Sequence, residues 1–94
     1  MGEIAKIRGM KISIYPFSDN GNEHPPAHIH VNKNRHRYKF DINTYEPIYD
    51  SAHNKKMPKN DQKALIKWMK EHHEELIENW KIAESKSSNF KYIN

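Results

Sequence analysis

The chain has 94 residues and no cysteine, so it offers one small domain and neither a disulfide nor a thiolate metal site. Charged residues make up 30% and hydrophobic residues 35%, and the formal net charge is +4 with histidines neutral. That basic balance suits polyanionic partners such as RNA, DNA or an acidic protein. No apolar run reaches the length of a signal-peptide core or a membrane span, which predicts a cytoplasmic protein with no membrane partner.

Ile4 to Ile7 reads as a short first strand and Arg8-Gly9 as a turn. Met10 to Tyr15 alternates, with Met10, Ile12 and Ile14 on one face, and Pro16 ends it. Ser18 to Glu23 is a polar loop with a turn signal at Asn20-Gly21. A third strand is predicted from Ala27 to Asn32 and a fourth from His36 to Ile42. A two-residue loop at Lys33-Asn34 pairs His30 with Arg37, His28 with Lys39, Ile29 with Tyr38 and Ala27 with Phe40. Polar then meets polar and apolar meets apolar, whereas a slip of one residue mixes the faces. Ile48-Tyr49 is a candidate last short strand, and Ser51 to Pro58 is a loop.

From Asn60 the period changes. Asn60 is the expected N-cap, with Asp61 in the first turn. Leu65, Ile66, Met69, His73, Leu76, Ile77, Trp80 and Ala83 form one stripe at helical spacing. The predicted fold is α+β: a small antiparallel sheet of about four strands, covered on one face by a long C-terminal helix. Residues 1–84 form the domain and residues 85–94 a polar tail, whose Phe90, Tyr92 and Ile93 either dock back or stay loose.

The chemistry concentrates in His24-Pro25-Pro26-Ala27-His28-Ile29-His30-Val31. In a strand His28 and His30 share one face, while Ala27, Ile29 and Val31 share the other. The apolar set suits a core, which turns both imidazoles outward. One reading is a divalent metal held by His24, His28 and His30, with His53 an alternative third ligand. The fixed charges of Arg37 and Lys39 across the hairpin oppose it. A second reading is an anion site in which His28, His30, Arg37 and Lys39 hold phosphate, or cleave RNA with imidazoles as acid and base. Lys11 and Tyr15 extend that patch. The plain alternative is a solvated strand face. His73 is read as a hydrogen-bonded core residue, and Trp68 and Trp80 as packing residues. No cofactor is expected, the one alternative being a divalent metal.

Glu23 to Val31 resembles the signature of a family of small bacterial and archaeal proteins of unknown function. Members carry an acidic residue and His, prolines, then His-x-His and an apolar residue. The resemblance continues in Ile7 to Tyr15, and in Trp68, His72, Glu75-Leu76 and Asn79-Trp80. It implies a small single-domain protein, often encoded beside a second small protein, and hence a suspected toxin–antitoxin component. It lends no catalytic residues but raises the standing of His24, His28 and His30. The residues predict a basic histidine face that contacts RNA or an acidic protein, and the resemblance implies that such a protein partner is encoded by the neighbouring gene.

Overall fold

Alternating apolar residues build the sheet. In the computed structural model, which describes residues 2–17 and 26–93, four strands run in the order β1-β2-β3-β4, each antiparallel to the next. They are β1 (Glu3–Ile7), β2 (Met10–Ser13), β3 (His28–Lys33) and β4 (His36–Asp41). The Asn20-Gly21 turn lies outside the described residues. Ile12, Val31 and Tyr38 form one cross-strand row on the core face, and Ile29 pairs with Phe40 beside it. All five are buried. In β1 a bulge between Glu3 and Ala5 breaks the alternation, and Ile4 and Ala5 are both buried.

Both outer hairpins close through two-residue turns with positive φ at both central residues. These are Arg8-Gly9, at 47° and 78°, and Asn34-Arg35, at 51° and 67°. That geometry follows the twist of the flanking strands, which is why it dominates tight hairpins. The second turn corrects the expected register. The loop is Asn34-Arg35 rather than Lys33-Asn34, and the pairing slides by two residues. His30 faces Lys39, His28 faces Asp41, and Arg37 faces Asn32. An even slip keeps every side chain on its face and changes only the partners. Asn takes the first left-handed position readily, which favours the observed loop.

The helical part lies where the periodicity put it, but it is two helices rather than one long helix. α1 spans Lys59–Glu71 and α2 spans His73–Glu84, with His72 at φ −119° between them. The apolar stripe runs through the break, so spacing alone does not reveal it. Charge does: Lys70 closes α1, and Glu74 and Glu75 open α2, each suiting the dipole end it occupies. His72 Nδ1–H also donates to Glu75 Oε1 at 2.7 Å, holding the first turn of α2. Leu65, Trp68, Met69, Leu76, Trp80 and Ala83 pack on the apolar sheet face. Pro58, not Asn60, occupies the N-cap position, with no side-chain cap.

Asp61 does more than suit a dipole. Lys33 Nζ lies 2.9 and 3.0 Å from its two carboxylate oxygens, and Arg8 Nε lies 3.4 Å away. One buried carboxylate thus fastens the start of α1 to residues of both hairpins. Hydrogen bonding from Lys33 holds Asp61 below the ordinary carboxylate range; partial burial opposes this, and Arg8 adds to it.

Each outer strand of the sheet has a companion. Beside β4, Pro47 bridges to Phe40, and the Ile48 N–H donates to Lys39 at 2.7 Å. The expected last strand is thus one isolated bridge. Beside β1, the Ile93 N–H donates to the Ile4 carbonyl at 2.6 Å. The segment after α2 docks back rather than staying loose. Ile93 is 3% exposed, and the buried Asn79 amide exchanges two hydrogen bonds with the Lys91 backbone, at 2.8 and 3.0 Å.

Candidate functional site: a histidine cleft on the open sheet face

The face turned away from the helices is polar because the alternation that buries Ile29 and Val31 sends His28, His30 and Asn32 the other way. Cross-strand pairing then makes two rows. Ser13, His30 and Lys39 form one, and Lys11, Asn32 and Arg37 form the other.

Three rings converge on His30. Tyr15, just beyond β2, has its ring centroid 4.9 Å from the His30 ring. His53, in the loop before α1, is 5.3 Å away, and His28 is 5.0 Å away. Tyr15, His30, Asn32, Arg37 and His53 line a cleft of about 540 Å³.

A tight turn positions His53. The Asp50 N–H donates to the His53 carbonyl at 3.1 Å and the His53 N–H returns to the Asp50 carbonyl at 3.3 Å. Asp50 Oδ1 accepts from the backbone N–H of Ala52 and His53, at 2.9 and 2.8 Å, and from His53 Nδ1 at 2.9 Å. Lys39 Nζ lies 3.3 Å from Oδ2. The imidazole hydrogen bond is the main reason that Asp50 stays ionised well below the usual carboxylate range, and the two backbone donors reinforce it against partial desolvation.

The residues singled out from sequence therefore separate. His30 and Arg37 line the cleft. Lys39 shares the face but is engaged with Asp50 behind it. His28 does not look out to solvent as expected: it is 2% exposed, packed against the Trp80 ring at 5.0 Å. The reason is that Trp80 of α2 meets the first residue of β3, and the same indole also stacks edge to face with Phe17. His28 Nδ1–H donates to the Pro26 carbonyl at 2.8 Å, which fixes its tautomer. Lys11 pairs at 3.8 Å with Glu3 instead of joining the cleft. His24 lies outside the described residues, and among those described no three His, Cys, Asp or Glu side chains are grouped to hold a metal ion.

Sequence reasoning missed Asp50. Its signal was the spacing Asp50-Ser51-Ala52-His53, in which a short carboxylate caps its own turn and reaches the side chain three residues on. His73, on the helix face, is hydrogen-bonded as expected, 3.2 Å from the Tyr45 hydroxyl, but it is half-buried rather than a core residue.

Fold and site together define a small α+β domain that carries an imidazole-rich cleft on an antiparallel sheet. The chain belongs to the family described as Domain of unknown function (DUF4160), whose model matches residues 9–81 and so includes every cleft residue named above. No curated protein and no solved structure matches the chain. No helix among the described residues is long and apolar enough to cross a membrane.

Proposed function

We propose that this protein contacts single-stranded RNA through the Tyr15–His30–Arg37–His53 cleft, as one component of a toxin–antitoxin-type pair. The observation that carries the reading is the lining itself: one aromatic ring, two imidazoles and an exposed guanidinium around one opening. A guanidinium offers forked donors to a phosphate, and a ring offers a stacking surface to an unpaired base. The +4 charge of the chain favours the same partner.

The test is fluorescence anisotropy with a labelled single-stranded oligoribonucleotide. Arg37→Ala and Tyr15→Ala are each expected to weaken binding about tenfold or more, since base stacking alone contributes about 1–3 kcal/mol. Equal binding by wild type and both variants removes the cleft from the reading. The pair is tested by inducing the chain without and with its gene neighbour: unchanged growth in both cases counts against a toxin role, and failure to co-purify counts against the partner.

A divalent-metal site at His24, His28 and His30 is the second reading. What favours it is the His28 ring, whose Nδ1–H is committed to a backbone carbonyl, as in metal-ligating imidazoles. A melting temperature that does not respond when Zn²⁺, Mn²⁺ or Ni²⁺ is added to metal-free protein would eliminate it.

A further inference from the structure

Asp50 and His53 form a polarised pair that RNA contact alone does not require. We infer that His53, oriented by Asp50, is the general base of a ribonuclease that cleaves RNA by attack of its own 2′-hydroxyl. The inference rests on the reading of the cleft as an RNA site.

Three observations support it. First, the turn from Asp50 to His53 is built around one carboxylate: two backbone N–H groups, the Lys39 ammonium and the His53 ring all converge on Asp50. A solvated loop needs no such convergence. Second, the bond uses His53 Nδ1. In the neutral ring the proton then sits on Nδ1 and the lone pair on Nε2, the arrangement of a base held by a third group. Third, a second imidazole, His30, stands 5.3 Å away by ring centroid and lines the same cleft beside Arg37. Two imidazoles and a cation in one cleft supply a base, an acid and a stabiliser of phosphoryl charge.

The step balances without any added reagent. His53 Nε2 takes the proton of a ribose 2′-hydroxyl. The 2′-oxygen forms a bond to the adjacent phosphorus, and the bond from phosphorus to the 5′-oxygen breaks. His30, protonated, gives its proton to the leaving 5′-oxygen, while Arg37 faces the non-bridging oxygens. The products are a 2′,3′-cyclic phosphate and a 5′-hydroxyl. Asp50 acts through His53 and is a positioning residue.

The experiment uses the whole chain with two labelled strands of one sequence, all-ribose and all-2′-O-methyl, in the presence of EDTA. Binding is read by anisotropy and products by gel and mass. The ribose strand is expected to be cut to a cyclic phosphate, and the 2′-O-methyl strand to be bound but uncut. His53→Ala is expected to lose about 10²–10⁴-fold in single-turnover rate at saturating RNA, where any weakening of binding does not enter the rate. Added imidazole is expected to restore part of that rate, which a merely structural role does not allow. Asp50→Asn is expected to lower kcat with little change in KM, and Asp50→Glu to recover part of it; circular dichroism checks the fold of each. Binding of both strands with no cleavage overturns the inference and leaves the RNA-contact reading standing. Absence of binding overturns that reading as well. Cleavage unaffected by His53→Ala, or cleavage of the 2′-O-methyl strand, overturns the assignment of the base.

Discussion

The two faces of the sheet obey different rules. On the helix-covered face, identity matters little beyond apolarity and volume. Ile12, Ile29, Val31, Tyr38 and Phe40 need only point inward, and the helices fill the space above them. On the open face the chemistry depends on which side chain stands beside which. His30 is defined by Lys39 across the strand and by Tyr15 and His53 from two loops. A two-residue slide of the β3–β4 hairpin leaves the first face intact and dismantles the second. The site is therefore only as well defined as the register, and the structure pins the register at both ends of Lys33: in the ladder and at Asp61.

The largest expected effect is on the covered face. Phe40→Ala should cost roughly 3–5 kcal/mol, from lost transfer energy and the cavity left behind. Urea denaturation checks this, and a midpoint unchanged from wild type would mean that the face is less packed than described. Next is the fastening at Asp61. Asp61→Asn should lower the melting temperature at neutral pH. Because the folded-state pKa is depressed, the stabilisation is present above the unfolded value of about 4 and is lost as pH falls through the lower folded value. The gap between wild type and variant should therefore close on acidification, and a gap independent of pH would assign the effect to shape rather than charge.

A smaller effect is expected at the turn. Arg35 holds φ at 67°, where a side chain is strained and glycine is not. Arg35→Gly should raise stability by up to about 1 kcal/mol, read from the same denaturation curves. A loss would show that the Arg35 side chain contributes more than its backbone strain costs. The smallest expected effect is on the open face. Arg37→Ala should change stability by less than about 0.5 kcal/mol while it weakens RNA binding, and that contrast separates the two faces in one experiment.

The same difference explains what was legible in the sequence. Alternation in Met10–Ile14 and His36–Ile42 gave the strands and their core faces, because a period of two survives any even error in pairing. The helical stripe from Leu65 to Ala83 gave the covering layer. The break at His72 stayed hidden because apolar spacing continues across it, although Lys70 and Glu74-Glu75 mark the charge pattern of two helix ends. Of the residues that line the cleft, His30, Arg37 and Tyr15 are legible as outward-facing and His53 as a possible ligand, but not that they meet. The burial of His28 is not legible, because it depends on Trp80 arriving from the far end of the chain. Asp50 was passed over because nothing local shows that its loop returns to the open face. Register partners, loop return and end-of-sheet burial are all long-range facts, and short-range patterns do not carry them.

The hydrogen bond from Ile93 to Ile4 sets an order on how this chain is made. Translation produces β1 well before the residues that shield its outer edge. At about 5–20 residues per second, that leaves the edge uncovered for several seconds on every ribosome. During that interval its unmatched N–H and C=O groups are open to nascent copies on the same messenger. Crowded polysomes, more than the finished fold, are where this protein is most exposed to mispairing with itself.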